Sequence, residues 1–187
     1  MTARDAFALL RSALGESAVR YAVGGSWASS AFGEPRFTNG FDILADLTQD
    51  NLDRFLGGLP ATFYVDADAA RSAITAGRAF NVIQRPSAVK FDLFPARAFP
   101  LGGEELKRAV LLSESGLSEA PTPFVTPEDI LLAKLHWFRA GGEVSEVQWR
   151  DIQGIVRSRR ATLDLPYLQY GAAKLGISDL LEKALSL

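Results

Sequence analysis

Two aspartates, Asp42 in the run GFDILADL and Asp92 in AVKFDLF, each stand among apolar neighbours in stretches of extended character. Acids are rarely placed inside an apolar strand without a partner or an ion. On neighbouring strands, two such carboxylates can hold a divalent ion and lead a triphosphate to it, as phosphoryl transfer requires. Upstream lies Gly24-Gly25-Ser26, at the point where a strand hands over to a helix. Backbone amides there can approach a phosphate closely, helped by the positive end of the helix, and Ser26 adds a hydroxyl. Plainer readings stand beside these. The glycines can simply make a tight turn, and each acid can pair with a base, Arg36 for Asp42 or Lys90 for a neighbour of Asp92.

A two-ion site wants closely paired carboxylates, often two on one strand at a spacing of two. Two residues before Asp42 stands Gly40, which has no side chain to ligate anything, and Asn39 is one residue off and should point to the other face. The sequence therefore shows two carboxylates where a full constellation would show three. Asp46 shares the face of Asp42 on an ideal strand but falls at its solvent end. His136 is the single histidine and cannot build a histidine zinc centre; it reads as packing or a chance surface position. Lys134 and Arg139 can reach phosphate, with solvated helix charges as the default. Trp27, Trp137 and Trp149 read as packing residues, of which one could stack on a base. Arg157, Arg159 and Arg160 read as a solvated helix end.

The elements that must place these groups follow from periodicity and punctuation. Residues 3–15 carry Phe7, Leu10 and Leu14 on one helical stripe. Residues 19–23 form a short strand stopped by the paired glycines, 26–32 a short helix, and 41–47 a second strand. Thr48 caps a helix ended by Gly57-Gly58. A strand over 62–65 and a helix from Asp66 or Asp68 come next. Residues 81–84 and 88–94 make a hairpin across Arg85-Pro86-Ser87, and its second strand places Asp92 on a definite face. A mixed sheet of about four or five strands is expected. From about residue 102 no strand signal recurs. Helices are expected at 104–112, at 127–139 behind Thr126-Pro127-Glu128-Asp129, at 146–157 behind Ser145, and in two further segments ending at Gly176 and near Leu185. The fold class is α+β: an α/β core over residues 1–100, then a helical region over 101–187 packed on it.

Composition removes several classes. At 187 residues with 48% apolar content, the chain can bury a real core. A formal charge of -2 with scattered signs gives no basic face for nucleic acid, so no DNA partner is expected. The absence of cysteine excludes a disulfide scaffold and a thiolate zinc site. No run approaches the ~18 apolar residues of a membrane span, and the N-terminus lacks the apolar core of a signal peptide. A soluble, cytoplasmic protein with no membrane partner is expected.

The run from Tyr21 to Leu47, with KFDLF and the segment PEDILLAKLHWFRAGGEVSEVQWRDIQGI, resembles the nucleotidyltransferase superfamily of polymerase-beta-like fold. It is similar to the small bacterial minimal nucleotidyltransferases and toxin–antitoxin transferases. Gly24, Gly25, Ser26, the run Arg36 to Thr38, Asp42 and Asp92 match the family pattern. The resemblance implies a magnesium- or manganese-dependent transfer of a nucleoside monophosphate from ATP or another nucleoside triphosphate to an acceptor hydroxyl, with release of pyrophosphate. It implies catalytic and metal-binding roles for Asp42 and Asp92. It implies nucleotide binding by Gly24, Gly25, Ser26, Arg36 and Lys134. The acceptor stays open among a small molecule, a protein and RNA. The family's run has an aspartate where this chain has Gly40, so the resemblance implies either an impaired transferase or a non-catalytic, antitoxin-like partner of another protein.

Overall fold

The computed structural model describes residues 2–38, 40–113, 116–118 and 120–186. The chain opens with α1 (Ala3–Glu16), whose apolar stripe buries Phe7, Leu10 and Leu14; Thr2 closes a capping box with Asp5 at its start. Strand β1 (Tyr21–Val23) leads through Gly24 into α2 (Gly25–Phe32), and β2 (Gly40–Ala45) follows. Helix α3 (Gln49–Gly58) starts at a capping box between Thr48 and Asn51. The short β3 (Phe63–Tyr64) and α4 (Ala67–Thr75) come before the expected hairpin, β4 (Phe80–Gln84) and β5 (Val89–Pro95).

The strands form one seven-stranded mixed sheet in the order β3-β4-β5-β2-β1, followed by β7 (Thr122–Phe124) and β6 (Val110–Leu112). Strands β2 and β5 run parallel, with Asp42 directly opposite Asp92. Because side chains alternate across a strand, both acids face one side. Phe41, Ile43, Phe91 and Leu93 take the other and are fully buried. There the rings of Phe7, Phe41 and Phe91 stack at centroid separations of 5.5 and 4.9 Å, and Trp27 of α2 lies against Phe41 at 5.2 Å. Offset stacking of this kind adds to the area each ring removes from water. It pins the strand that carries Asp42.

After Pro95 the chain differs from expectation. The helix expected over 104–112 is α5 (Gly102–Arg108) followed by β6, and β7 falls before the helix expected at 127–139, where no strand was expected. Strand β7 pairs parallel with β1 through Val23 and Phe124, so the part expected to be helical also supplies two strands to the sheet. Each is three residues long, and β7 contains Pro123, so neither carries a readable period-2 signal. Helices α6 (Pro127–Ala140), α7 (Glu146–Arg159), α8 (Leu165–Leu175) and α9 (Ser178–Leu185) close the chain. Thr126 caps α6, with Pro127 at its first position. Helix α7 lies close on α2 at Gly33, where a Cβ would stand 2.9 Å from the Ile155 nitrogen. Among the described residues no helix is long and apolar enough to cross a membrane.

Candidate nucleotide site

Asp42 projects into a cavity of about 470 Å³ between the sheet, α2, α5 and α6. Gly24 donates its N–H to the Asp42 carbonyl at 2.8 Å, which fastens the turn to the strand. Gly25 has φ +53, and a Cβ built there would stand 1.7 Å from Asp42 Oδ2. Only glycine lets the turn pass this close to the carboxylate. Burial pushes the Asp42 carboxyl above the usual range and the charge of Asp92 pushes the same way; the Ser26 N–H, Lys134 and Lys90 oppose them.

Two cations reach the same cavity from other elements. Lys134 of α6 and Arg36, in the segment between α2 and β2, both line it, and both are held by the buried Asp151 of α7. Lys134 Nζ donates to Asp151 Oδ2 at 2.8 Å, and Arg36 Nε to Oδ1 at 3.1 Å. Arg36 Nη2 also donates to Ser26 Oγ, tying the cation to the glycine turn. Burial alone would raise Asp151, but the hydrogen bonds and charges of Lys134 and Arg36 outweigh it and hold its carboxyl below the ordinary value. A buried carboxylate shared by two cations leaves one positive charge among these three groups, set across the cavity from Asp42.

The far wall is acidic. Glu105 of α5 is 4% exposed, its Oε1 has no hydrogen-bond partner, and burial together with Asp129 lifts its carboxyl to about 8. At neutral pH it is held as the neutral acid. Asp129 is fully buried, raised by burial against hydrogen bonds from Tyr167 at 2.5 Å and Thr126 at 2.7 Å. Leu44, Phe94, Phe99, Val125 and Ile130 fill in between, and Trp137 stands on the rim, 52% exposed.

The structure thus brings Gly24, Gly25, Ser26, Arg36, Asp42 and Lys134 to one cavity. Asp92 is not among its lining residues; it sits one strand away, opposite Asp42. Arg36 pairs with Asp151 rather than Asp42, and Lys90 pairs with Asp92 itself at 2.9 Å. Asp46 lies past the end of β2, bonded to Arg20 at 2.7 Å. His136 packs edge-on between Phe99 and Trp137. Arg139 is held by Glu143 and Asp179, and Arg157 by Glu34, away from the cavity. Arg159 bonds the Phe32 carbonyl, and Arg160 the Leu185 carbonyl. The expectation for Asn39 lies outside the described residues. Sequence reasoning did not single out Asp151, Glu105 or Asp129. Asp151 did leave a signal: it stands four residues before Ile155, on the stripe that also buries Ile152.

A divalent centre places hard cations among several oxygen donors, and the residues present do not fit a two-ion centre. Among the described residues, no group of three Asp, Glu, His or Cys side chains is placed to hold an ion. Asp92 is committed already, since Asn81 donates to its Oδ1 and Lys90 lies on Oδ2. Gly40 has room for a side chain, because the nearest atom to a Cβ there is the Lys90 carbonyl oxygen at 3.7 Å. Position 40 thus lacks an oxygen donor for want of a side chain, not of space.

No known family profile and no curated protein matches the chain. Solved structures do. An antigenic nucleotidyltransferase-like protein from Paracoccidioides brasiliensis aligns over 98% of this chain and 92% of its own, at 20% identity and a TM-score of 0.58. The antibiotic-resistance factor ANT(2'')-Ia aligns over 98% of this chain and 92% of its own, at 15% identity and a TM-score of 0.51. At such identities the likeness speaks for the fold alone: this chain has a nucleotidyltransferase-like α+β fold.

Proposed function

We propose that the protein binds a nucleoside triphosphate in this cavity and that its transferase chemistry is suppressed. The observation that carries the reading is the meeting, in one cavity, of a glycine turn at a helix start, a strand carboxylate and two cations held by a shared buried acid. The Gly25 amide at the start of α2 and the Ser26 hydroxyl take the terminal phosphates, with Arg36 and Lys134 supplying charge. Trp137 on the rim offers a ring face to the base. In a complete site an acceptor hydroxyl would attack the α-phosphorus in line, forming the new ester as the bond to the pyrophosphate leaving group breaks. Asp42, in the cavity, and Asp92, one strand away and paired with Lys90, are the carboxylates we assign to that reaction. With Gly40 between them and a full donor set, binding outlasts catalysis.

Calorimetric titration of ATP, CTP, GTP and UTP, each with and without Mg²⁺, tests the reading. At least one nucleotide should bind, and Arg36→Ala should weaken it by about tenfold or more, the equivalent of ~1.4 kcal/mol. Absence of binding to all four would sink the proposal. Gly40→Asp should raise pyrophosphate release above the wild-type level if that position is the lesion. The second reading, a non-catalytic partner of another protein, is favoured by Gly40 and by the Lys90–Asp92 pair. It predicts no nucleotide binding and no gain in Gly40→Asp.

A further inference from the structure

Lys90 stands directly across the parallel β2–β5 pair from Gly40, and its ammonium lies 2.9 Å from Asp92 Oδ2. Asn81 occupies the other oxygen of Asp92, and on the neighbouring strand Asp42 faces the same side. Two departures from a metal-holding site coincide here. Position 40, which has room for a side chain, offers no oxygen donor, and the residue opposite it carries a positive charge. Both reduce the attraction for a divalent cation at one spot. Stability gives little reason for the pair, because an ion pair with a half-exposed lysine contributes little. Gly40 carries no side chain beside Lys90, whose ammonium touches Asp92 and whose charge reaches Asp42.

We propose that Lys90 takes the place of a divalent ion at the Asp42–Asp92 pair, a fixed cation that lets the site face nucleotide phosphates without bound metal. The ligand part of this statement rests on the nucleotide reading above; the exclusion of metal does not.

The test therefore has two arms. Mn²⁺ is titrated against the protein alone and followed by electron paramagnetic resonance. The wild type should show no saturable site below about 1 mM, the weak end of carboxylate affinities. Lys90→Gln, which keeps the side-chain stem, should bind Mn²⁺ about tenfold tighter or more, since removing a like charge next to a divalent ion exceeds ~1.4 kcal/mol. Adding Asp42→Asn should abolish that gain, and Gly40→Asp with Lys90→Gln should bind tighter still. Circular dichroism of each variant checks that it is folded. Micromolar Mn²⁺ binding by the wild type, or an unchanged affinity in Lys90→Gln, overturns the proposal. In the second arm ATP is titrated in EDTA. Affinity within about twofold of that with Mg²⁺, lost about tenfold in Lys90→Gln, supports it, and Mg²⁺-dependent binding by the wild type overturns it. If ATP binds under neither condition, the nucleotide reading fails, and the Mn²⁺ arm still decides the role of Lys90.

Discussion

Gly25 and Asp42 meet in one small volume from two elements, and position 25 cannot gain a side chain while the carboxylate keeps its place. A Cβ at position 25 would overlap the Asp42 carboxylate, and the backbone there already has φ +53. Gly25→Ala should therefore destabilise the protein by more than the ~1–2 kcal/mol of a left-handed conformation in an L-residue, read from urea denaturation midpoints. Adding Asp42→Gly should recover part of the loss, the signature of a steric coupling. Glu105 gives a second prediction at this scale. Its carboxyl is raised from 4.5 to about 8 by burial and by Asp129. The unfolded chain ionises it above about pH 4.5, whereas the folded protein keeps it neutral until near 8, so its contribution to stability falls across that window at up to ~1.4 kcal/mol per pH unit. Glu105→Gln should match the wild type near pH 4.5 and surpass it increasingly up to about pH 8, in melting temperatures across pH. A gain that is the same at both ends would contradict this.

The cavity depends on α7, although α7 barely enters it, because Asp151 holds the cations contributed by α6 and by the segment before β2. Asp151→Ala leaves Lys134 and Arg36 without their buried partner and should cost ~3–5 kcal/mol in chemical denaturation. Because its folded carboxyl lies below the unfolded value, the stability it lends is present above about pH 4 and lost as pH falls through the folded value. The wild type should lose stability faster than Asp151→Asn on acidification below that point. Where α7 meets α2, Gly33→Ala pushes a Cβ to 2.9 Å from the Ile155 nitrogen and should cost ~1–3 kcal/mol. Local signals made most helices readable, because caps such as Thr126 and Ser145 and glycine stops are written into neighbouring residues. The face of Asp92 was legible from the alternation of AVKFDLF. The β2–β5 pairing that sets it opposite Asp42 was only one possibility, since no local signal joins strands so far apart in the chain. Strands β6 and β7 were not legible, because three-residue strands take their identity from the strand they pair with. Asp151 and Glu105 escaped for a related reason: their partners lie in distant parts of the chain, and only the packed helices turn two ordinary acids into buried ones.

At the scale of the molecule, the sheet is not completed by residues 1–100. Strand β7 covers the edge of β1 through Val23 and Phe124, while Lys134, Asp129 and Glu105 bring the outer walls of the cavity. A fragment of residues 1–100 should leave that strand edge open to pairing between chains. It should sediment as aggregates and unfold without a cooperative transition, unlike the whole chain; a monomeric fragment with a sharp melt would show that the first half stands alone.

The parallel pairing of β1 with β7 also sets a clock. About a hundred residues separate the two strands, a closure that is slow because its entropy is lost before any contact repays it. During synthesis, at roughly 5–20 residues per second, Asp42 and the glycine turn leave the ribosome seconds before the strand and helices that enclose them. The cavity is then completed only late in synthesis, and a nascent chain should acquire protection from protease at Gly24–Ser26 only after α6 has emerged.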